Sequence, residues 1–235
     1  MDTFETIDNH RLIYNGLEHV EFELTRSTTS YFRVAREAHQ VLYRSIIASL
    51  RGTSNLSVTG KPSGRREHRY QFNQGSVQEI HKQTIPGCKK AWRFSAPITV
   101  QSHFQGGHTE MPSEDFLIPF YDALAMVQAD CFMHRFVDSI AVKVSDQEMS
   151  ILEWLHEAIR NEYEHFVPKA YSSPIKHLLQ AAQLAILKAY ACLLDSNNVS
   201  FYSHSVTLSN MECKLNSVMA IIDSHFSKAA GEPWK

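Results

Sequence analysis

Four cysteines in 235 residues, Cys88, Cys131, Cys192 and Cys213, include no Cys-x2-Cys pair, so the chain offers neither a disulfide framework nor a zinc knuckle. No run approaches the ~18 consecutive apolar residues of a membrane span. The opening Met1-Asp2-Thr3-Phe4-Glu5 is acidic where a secretion signal is basic, and the expectation is a cytoplasmic protein without membrane attachment. A glycine-rich phosphate loop, a Gly-x-Ser-x-Gly elbow, a His-Glu-x-x-His helix and an internal repeat are all missing. Their absence disfavours P-loop NTPases, kinases, dinucleotide enzymes, common hydrolases and zincins. Thirteen histidines are spread from His10 to His225, and the closest pair, His103 and His108 around Gly106-Gly107, has no third ligand beside it. Neither a metal nor another cofactor is expected. Asn198-Val199-Ser200 formally fits a glycosylation acceptor, which carries no weight in a chain without a secretion signal.

What is present is an ordinary globular composition, 43% apolar and 20% charged, with a net charge of −2 that conceals a strong asymmetry. Between Lys61 and Arg93 lie Lys61, Arg65, Arg66, Arg69, Lys82, Lys89, Lys90 and Arg93 against Glu67 and Glu79. That segment carries +6, leaving −8 for the rest. Several Lys and Arg side chains can neutralise backbone phosphates without reading sequence, so Arg65, Arg66, Arg69, Lys89, Lys90 and Arg93 are candidate RNA contacts. The same charges also serve a plainer purpose, protecting strand edges from pairing with other chains. Residues 53–112 break into short runs, 54–60, 68–73, 77–85 and 89–96, separated by Lys61-Pro62-Ser63-Gly64, Gln74-Gly75 and Pro86-Gly87. This pattern predicts a basic, β-rich insert, most simply an antiparallel meander, with Tyr70 and Phe72, and Trp92 and Phe94, alternating on one face.

On either side the period changes to that of helices. A short segment, 16–24, precedes a long helix over 27–51, striped by Tyr31, Val34, Ala38, Leu42, Ile46 and Leu50 and stopped by Gly52. Its polar side carries Arg33, Arg36, His39 and Arg44, either a solvated face or one wall of an anion-binding groove. Ser113-Glu114-Asp115 restarts a helix whose regular part, given Pro119, begins near Ile118 and runs to about Phe136, through Leu117, Phe120, Tyr121, Leu124, Val127 and Cys131. Ser145-Asp146-Gln147-Glu148 reads as a capping box that starts a third, with Leu152, Leu155, Ile159, Tyr163 and Phe166 on its apolar side. Ser173-Pro174 reads as a cap and first-turn proline for an apolar helix to Asp195, and a last helix spans 208–226. The fold class is therefore mainly α. It is a single domain over 1–235, an antiparallel bundle of about five long helices, with a small antiparallel β insert at 53–112 between the first and second long helices.

The third helix carries Arg160, Asn161 and His165 just before Pro168, which should end it near His165. Within six residues this places a permanent cation, an amide and a titratable imidazole. On a regular helix Arg160 and His165 lie about 140° apart, whereas Asn161 and His165 share a face. Aiming all three at one ligand then requires a distorted last turn, a swung arginine or a second copy of the helix. The plain alternative is a pair of solvated helix-end groups, with His165 favouring the helix dipole.

The run Arg160-Asn161-x3-His165, at the end of an amphipathic helix and followed by another long helix, resembles the Arg-x4-6-His signature of the HEPN superfamily, over residues 17–52 and 113–195. The resemblance implies a helical bundle that dimerises with its motifs close together. It also implies a metal-independent endoribonuclease in which Arg160, Asn161 and His165 act on RNA. A toxin or antiphage-defence setting, with an antitoxin or regulatory protein as partner, is a further implication. A catalytically inactive module of the same family, binding RNA, a nucleotide or a protein partner, is the alternative it leaves open. Where family members carry a tyrosine two residues after the motif histidine, this chain has Val167, so modification there is not implied.

Overall fold

The computed structural model describes residues 8–51, 58–62, 68–74, 77–83, 92–94, 98–101, 107–110, 116–130, 132–163, 172–201 and 205–231. These residues are mainly helical and fall into two compact units. One comprises Met1–Ser45, Lys143–Asp195 and Ser200–Lys235; the other comprises Ile46–Val142 and Ser196–Val199.

The first unit is a helical bundle. Helix α1 (Asn9–Thr25) starts where Asp8 accepts a 2.7 Å hydrogen bond from the Arg11 amide, and it is a full helix where only 16–24 was expected. The Asp8 carboxylate also accepts from the Ser205 amide at 3.2 Å, tying the approach to the last helix onto the start of the first. Ile13, Leu17, Val20 and Leu24 are buried at steps of three and four. Gly16 lies so near helix α2 (Tyr31–Leu50) that a Cβ there would stand 2.8 Å from Val41 Cγ2. Arg44 Nη1 reaches back across the same contact to the Leu12 carbonyl at 3.1 Å. In the part of α2 that belongs to this unit, the expected stripe is buried at Val34, Ala38 and Leu42, with Val41 beside it, while Tyr31 is half-buried; Ile46 and Leu50, also buried, belong to the second unit.

Helix α4 (Asp146–Trp154) opens with the capping box expected from its sequence. Ser145 Oγ accepts from the Glu148 amide at 3.3 Å, and the Ser145 amide donates to Glu148 Oε2 at 2.8 Å. Helix α5 (Ile175–Tyr190) buries Leu178, Leu179, Ala181, Ala182, Ala185, Ile186 and Ala189. It packs against both α4 and helix α6 (Leu208–Gly231). Its alanines permit close approach, and Lys188 fixes its far end to α4 by a 2.7 Å ion pair with Glu148. The expected first-turn proline is corrected by one position. Pro174 is itself the N-cap, with extended ψ and its carbonyl accepting from the His177 amide. With its continuation to Asp195, this helix is long and apolar enough to span a bilayer by length and composition only; half of the apolar stretch is buried inside the fold, and Lys176, Gln180, Gln183 and Lys188 interrupt its apolar run. Helix α6 buries Met211, Leu215, Val218 and Ile222 and meets α1 through Lys214, 2.7 Å from Glu21.

The second unit contains helix α3 (Phe120–Met126), much shorter than the helix to Phe136 expected from sequence. The apolar stripe does go inward, with Phe132 and Met133 buried, but by tight turns. The Phe132 amide bonds the Ala129 carbonyl, and the Val142 amide takes the Val127 carbonyl at the point where the helix stops. Asn198, 1% exposed, holds this region together. Its Nδ2 donates to the Ser49 carbonyl at 2.7 Å, and its Oδ1 accepts from the Arg135 amide at 2.8 Å. An amide engaged in this way is not available to carry a glycan, and the formal glycosylation motif is a packing residue.

The backbone of the same unit also pairs as short strands: β1 (Thr59–Pro62), β2 (His68–Gln74), β3 (Val77–Gln83), β4 (Trp92–Phe94), β5 (Ile98–Gln101), β6 (Gly107–Glu110) and β7 (Phe116–Leu117). Their order is β3-β2-β4-β1-β7, with β5 and β6 as a separate pair. This is not a simple meander, because β2 and β4 run parallel and β1 lies between β4 and β7.

Candidate functional site

Helix α4 does not continue regularly through the Arg160 motif. From Leu155 to Tyr163 it winds as a π-helix, whose hydrogen bonds run from i to i+5. A regular helix does not run through this stretch, and rewinding of this kind is common at functional sites. Leu155 and Ile159 remain buried as its anchor. His165 lies outside the described residues.

The other two motif residues are held together. Arg160 Nη1 donates to Asn161 Oδ1 at 2.8 Å, and Asn161 Nδ2 donates to Glu157 Oε2 at 2.9 Å. The asparagine therefore links a cation on one side to a carboxylate on the other. Arg160 and Asn161 are half-buried, and Glu157 is exposed.

Two groups of α2, His39 and Tyr43, feel the Arg160 charge, and His39 pairs with His156 of the π turn. His39 is 1% exposed, and its Nε2 lies 3.0 Å from His156 Nδ1, with the two rings 5.1 Å apart. Burial holds His39 far below the ordinary imidazole range, at about 3, with His156 and the Arg160 guanidinium each adding repulsion against a second proton. His39 is therefore neutral at physiological pH. Tyr43, one turn further along α2, is pushed up to about 12 by burial, partly offset by Arg160. Of the two readings of the polar side of α2, the burial of His39 rules out a solvated face at that residue. His156 had no sequence signal beyond standing four residues before Arg160, because its partner is 117 residues away.

Of the basic candidates, Arg65, Arg66, Lys89 and Lys90 lie outside the described residues. Arg69 is in β2 and Arg93 in β4, and they stand opposite each other in the parallel pair. Arg69 is also in register with Lys82, and Arg93 with Lys61. Backbone pairing thus sets Lys82, Arg69, Arg93 and Lys61 in one row across four strands.

Among the described residues no group of three or more His, Cys, Asp or Glu gathers at metal-binding distance. Cys192 is a buried free thiol and Cys213 an exposed one. Comparison with protein-family models, curated proteins and solved structures gives no match to this chain.

Proposed function

We propose that the chain is an endoribonuclease of the HEPN type, cleaving RNA by attack of a ribose 2′-hydroxyl on the adjacent phosphate. The observation that carries this reading is the Arg160–Asn161 pair, joined at 2.8 Å beside two imidazoles where α4 rewinds. In the reaction the 2′-oxygen bonds to phosphorus and the bond to the 5′-oxygen breaks, leaving a 2′,3′-cyclic phosphate and a 5′-hydroxyl. Arg160 neutralises charge growing on the phosphoryl oxygens through its planar donors. Asn161, anchored to Glu157, keeps that guanidinium in place. His165 acts as the acid that protonates the departing 5′-oxygen. No metal ion enters this scheme.

The basic segment 53–112 belongs to the same proposal, as a β insert that grips backbone phosphates. Arg65, Arg66, Lys89 and Lys90, with Arg69 and Arg93, are the side chains assigned to that grip. The chain acts as a homodimer in this reading, with a second copy bringing its motif alongside the first. A toxin or antiphage role, restrained by an antitoxin or regulatory protein, is its biological setting.

The test is cleavage of labelled single-stranded RNA by wild type, Arg160→Ala and His165→Ala, with circular dichroism and sedimentation as controls. Each substitution should lower the rate by about 100-fold or more, in line with the usual contribution of an acid–base or charge-stabilising group, while fold and assembly persist. Wild-type rates in both variants would overturn the reading. RNA binding without cleavage by wild type would point instead to the inactive binding module.

A further inference from the structure

The second unit carries an exposed apolar turn that the ribonuclease reading does not use. Within five residues, Phe136, Val137 and Ile140 are 44%, 108% and 57% exposed. Single apolar side chains scattered over a surface are ordinary, whereas three large ones on one turn form a patch. Val137 is more exposed than it would be in an extended chain, so it stands out from the surface instead of lining a hollow.

Backbone bonds hold the turn in this shape. The Ser139 amide donates to the Phe136 carbonyl at 3.1 Å and the Phe136 amide to Ser139 Oγ at 3.0 Å, which places Val137 and Asp138 at the tip of a closed turn. A second segment of the same unit grips both flanks. The Arg135 amide donates to Asn198 Oδ1 at 2.8 Å, Ser139 Oγ to the Asn197 carbonyl at 3.0 Å, and the Ile140 amide to the Ser196 carbonyl at 2.9 Å. Asn197 takes a φ of 51°, which asparagine tolerates. Phe132 and Met133, just before the turn, are buried. The apolar side chains of this stretch thus divide into an inward anchor and an outward tip. A tip fixed in advance loses little conformational freedom when it binds.

Size, shape and charge decide what covers it. A stable protein interface takes about 800 Å² from each partner, with a polar rim around its apolar core. Three side chains of one turn do not supply that, which disfavours a second copy or a folded protein partner. A bilayer interface sets no such minimum, because affinity grows with each apolar side chain that enters and with attraction to anionic lipid. The charge is of the right sign. The Arg135 guanidinium lies 5.2 Å from the centre of the Phe136 ring, at the base of the apolar tip. The second unit holds ten Lys and Arg against eight Asp and Glu, while the first is acidic. Asp138, exposed beside Val137, opposes entry and keeps it shallow and reversible.

We infer that the turn 136–140 is a peripheral docking loop for an anionic bilayer surface. Phe136, Val137 and Ile140 enter the interface, and Arg135 meets the lipid phosphates. No membrane span is involved, and three side chains of one turn leave no sign in the hydropathy of the whole chain. The inference is independent of the ribonuclease reading.

The test is co-sedimentation of the full-length protein with vesicles of equal parts phosphatidylcholine and phosphatidylserine, beside vesicles of phosphatidylcholine alone. Wild type should bind the anionic vesicles more tightly, and the binding should weaken as salt is raised. Val137→Glu, at a position that packs against nothing, should keep the fold and weaken binding by about tenfold or more. Asp138→Asn should strengthen it by about fivefold, because one negative charge is removed beside the lipid. Opposite signs at neighbouring residues separate docking from damage to the fold. Absence of wild-type binding to the anionic vesicles, or equal binding by wild type and Val137→Glu, would overturn the inference. Self-association of wild type that Val137→Glu abolishes would overturn it too, and would give the turn to a second copy.

Discussion

His39 shows how one buried group can couple the site to the stability of the bundle. Its folded pKa, about 3, is below the 6.5 of an exposed imidazole, so the unfolded chain binds the extra proton more readily. The stabilising difference is therefore fully present above pH 6.5. It is lost progressively as pH falls from 6.5 towards 3, at up to ~1.4 kcal/mol per unit. Urea unfolding at pH 7 and pH 5 should show a loss of about 2 kcal/mol attributable to this residue, and His39→Gln should lack that part of the slope. An equal pH dependence in both proteins would mean that His39 is not held neutral by burial. The same residue marks a limit of sequence reading. As one member of a polar face with Arg33, Arg36 and Arg44 it looked solvent-facing, and only its pairing with His156 on a distant helix makes its burial tolerable. Asn198 is a parallel case, visible in the sequence as a formal glycan acceptor but folded as a buried amide joining residues 49 and 135.

At the level of elements, period carries information well where packing is one-sided. The stripes of α2, α5 and α6 were legible because each buries one face at steps of three and four, and the α4 capping box because its two bonds are local. What was not legible depended on distant contacts or on winding. The turns that replace the end of the expected second helix form where the Val142 amide takes the Val127 carbonyl. The π winding of 155–163 leaves no mark in the hydrophobic period that precedes it. Gly16 gives a sharper test of helix packing. Glycine inside a helix costs about 1 kcal/mol relative to alanine, so Gly16→Ala on an exposed face would stabilise. Here the new methyl would stand 2.8 Å from Val41 Cγ2, on a β-branched side chain with little rotamer freedom. Overpacking of this kind costs roughly 1–3 kcal/mol, which outweighs the propensity gain and leaves a net loss of about 1 kcal/mol. The melting temperature should fall by roughly 2–4 °C; a rise would show that α1 and α2 separate readily at this point.

For the whole molecule, composition and period were enough to establish a mainly helical chain, while function was legible only through a six-residue stretch and a charge asymmetry. That asymmetry acquires an order in the structure, because strand pairing sets Lys82, Arg69, Arg93 and Lys61 in one row rather than scattering them along a loop. The order could not be read in advance: it depends on a parallel contact between β2 and β4 that a meander would not contain. Arg160 likewise lies within electrostatic reach of His39 and Tyr43 on α2, far from it in sequence, and His39 pairs with His156. The account as a whole stands on the claim that this constellation cleaves RNA through the ribose 2′-hydroxyl. The measurement that tests it most directly is incubation of the purified wild-type protein with end-labelled single-stranded and structured RNA in excess EDTA, followed by analysis of the product ends. The account predicts 2′,3′-cyclic phosphate and 5′-hydroxyl ends, with no cleavage of a substrate carrying 2′-deoxyribose at the scissile position. Products with 3′-hydroxyl and 5′-phosphate ends, or cleavage of the deoxy substrate, would contradict it.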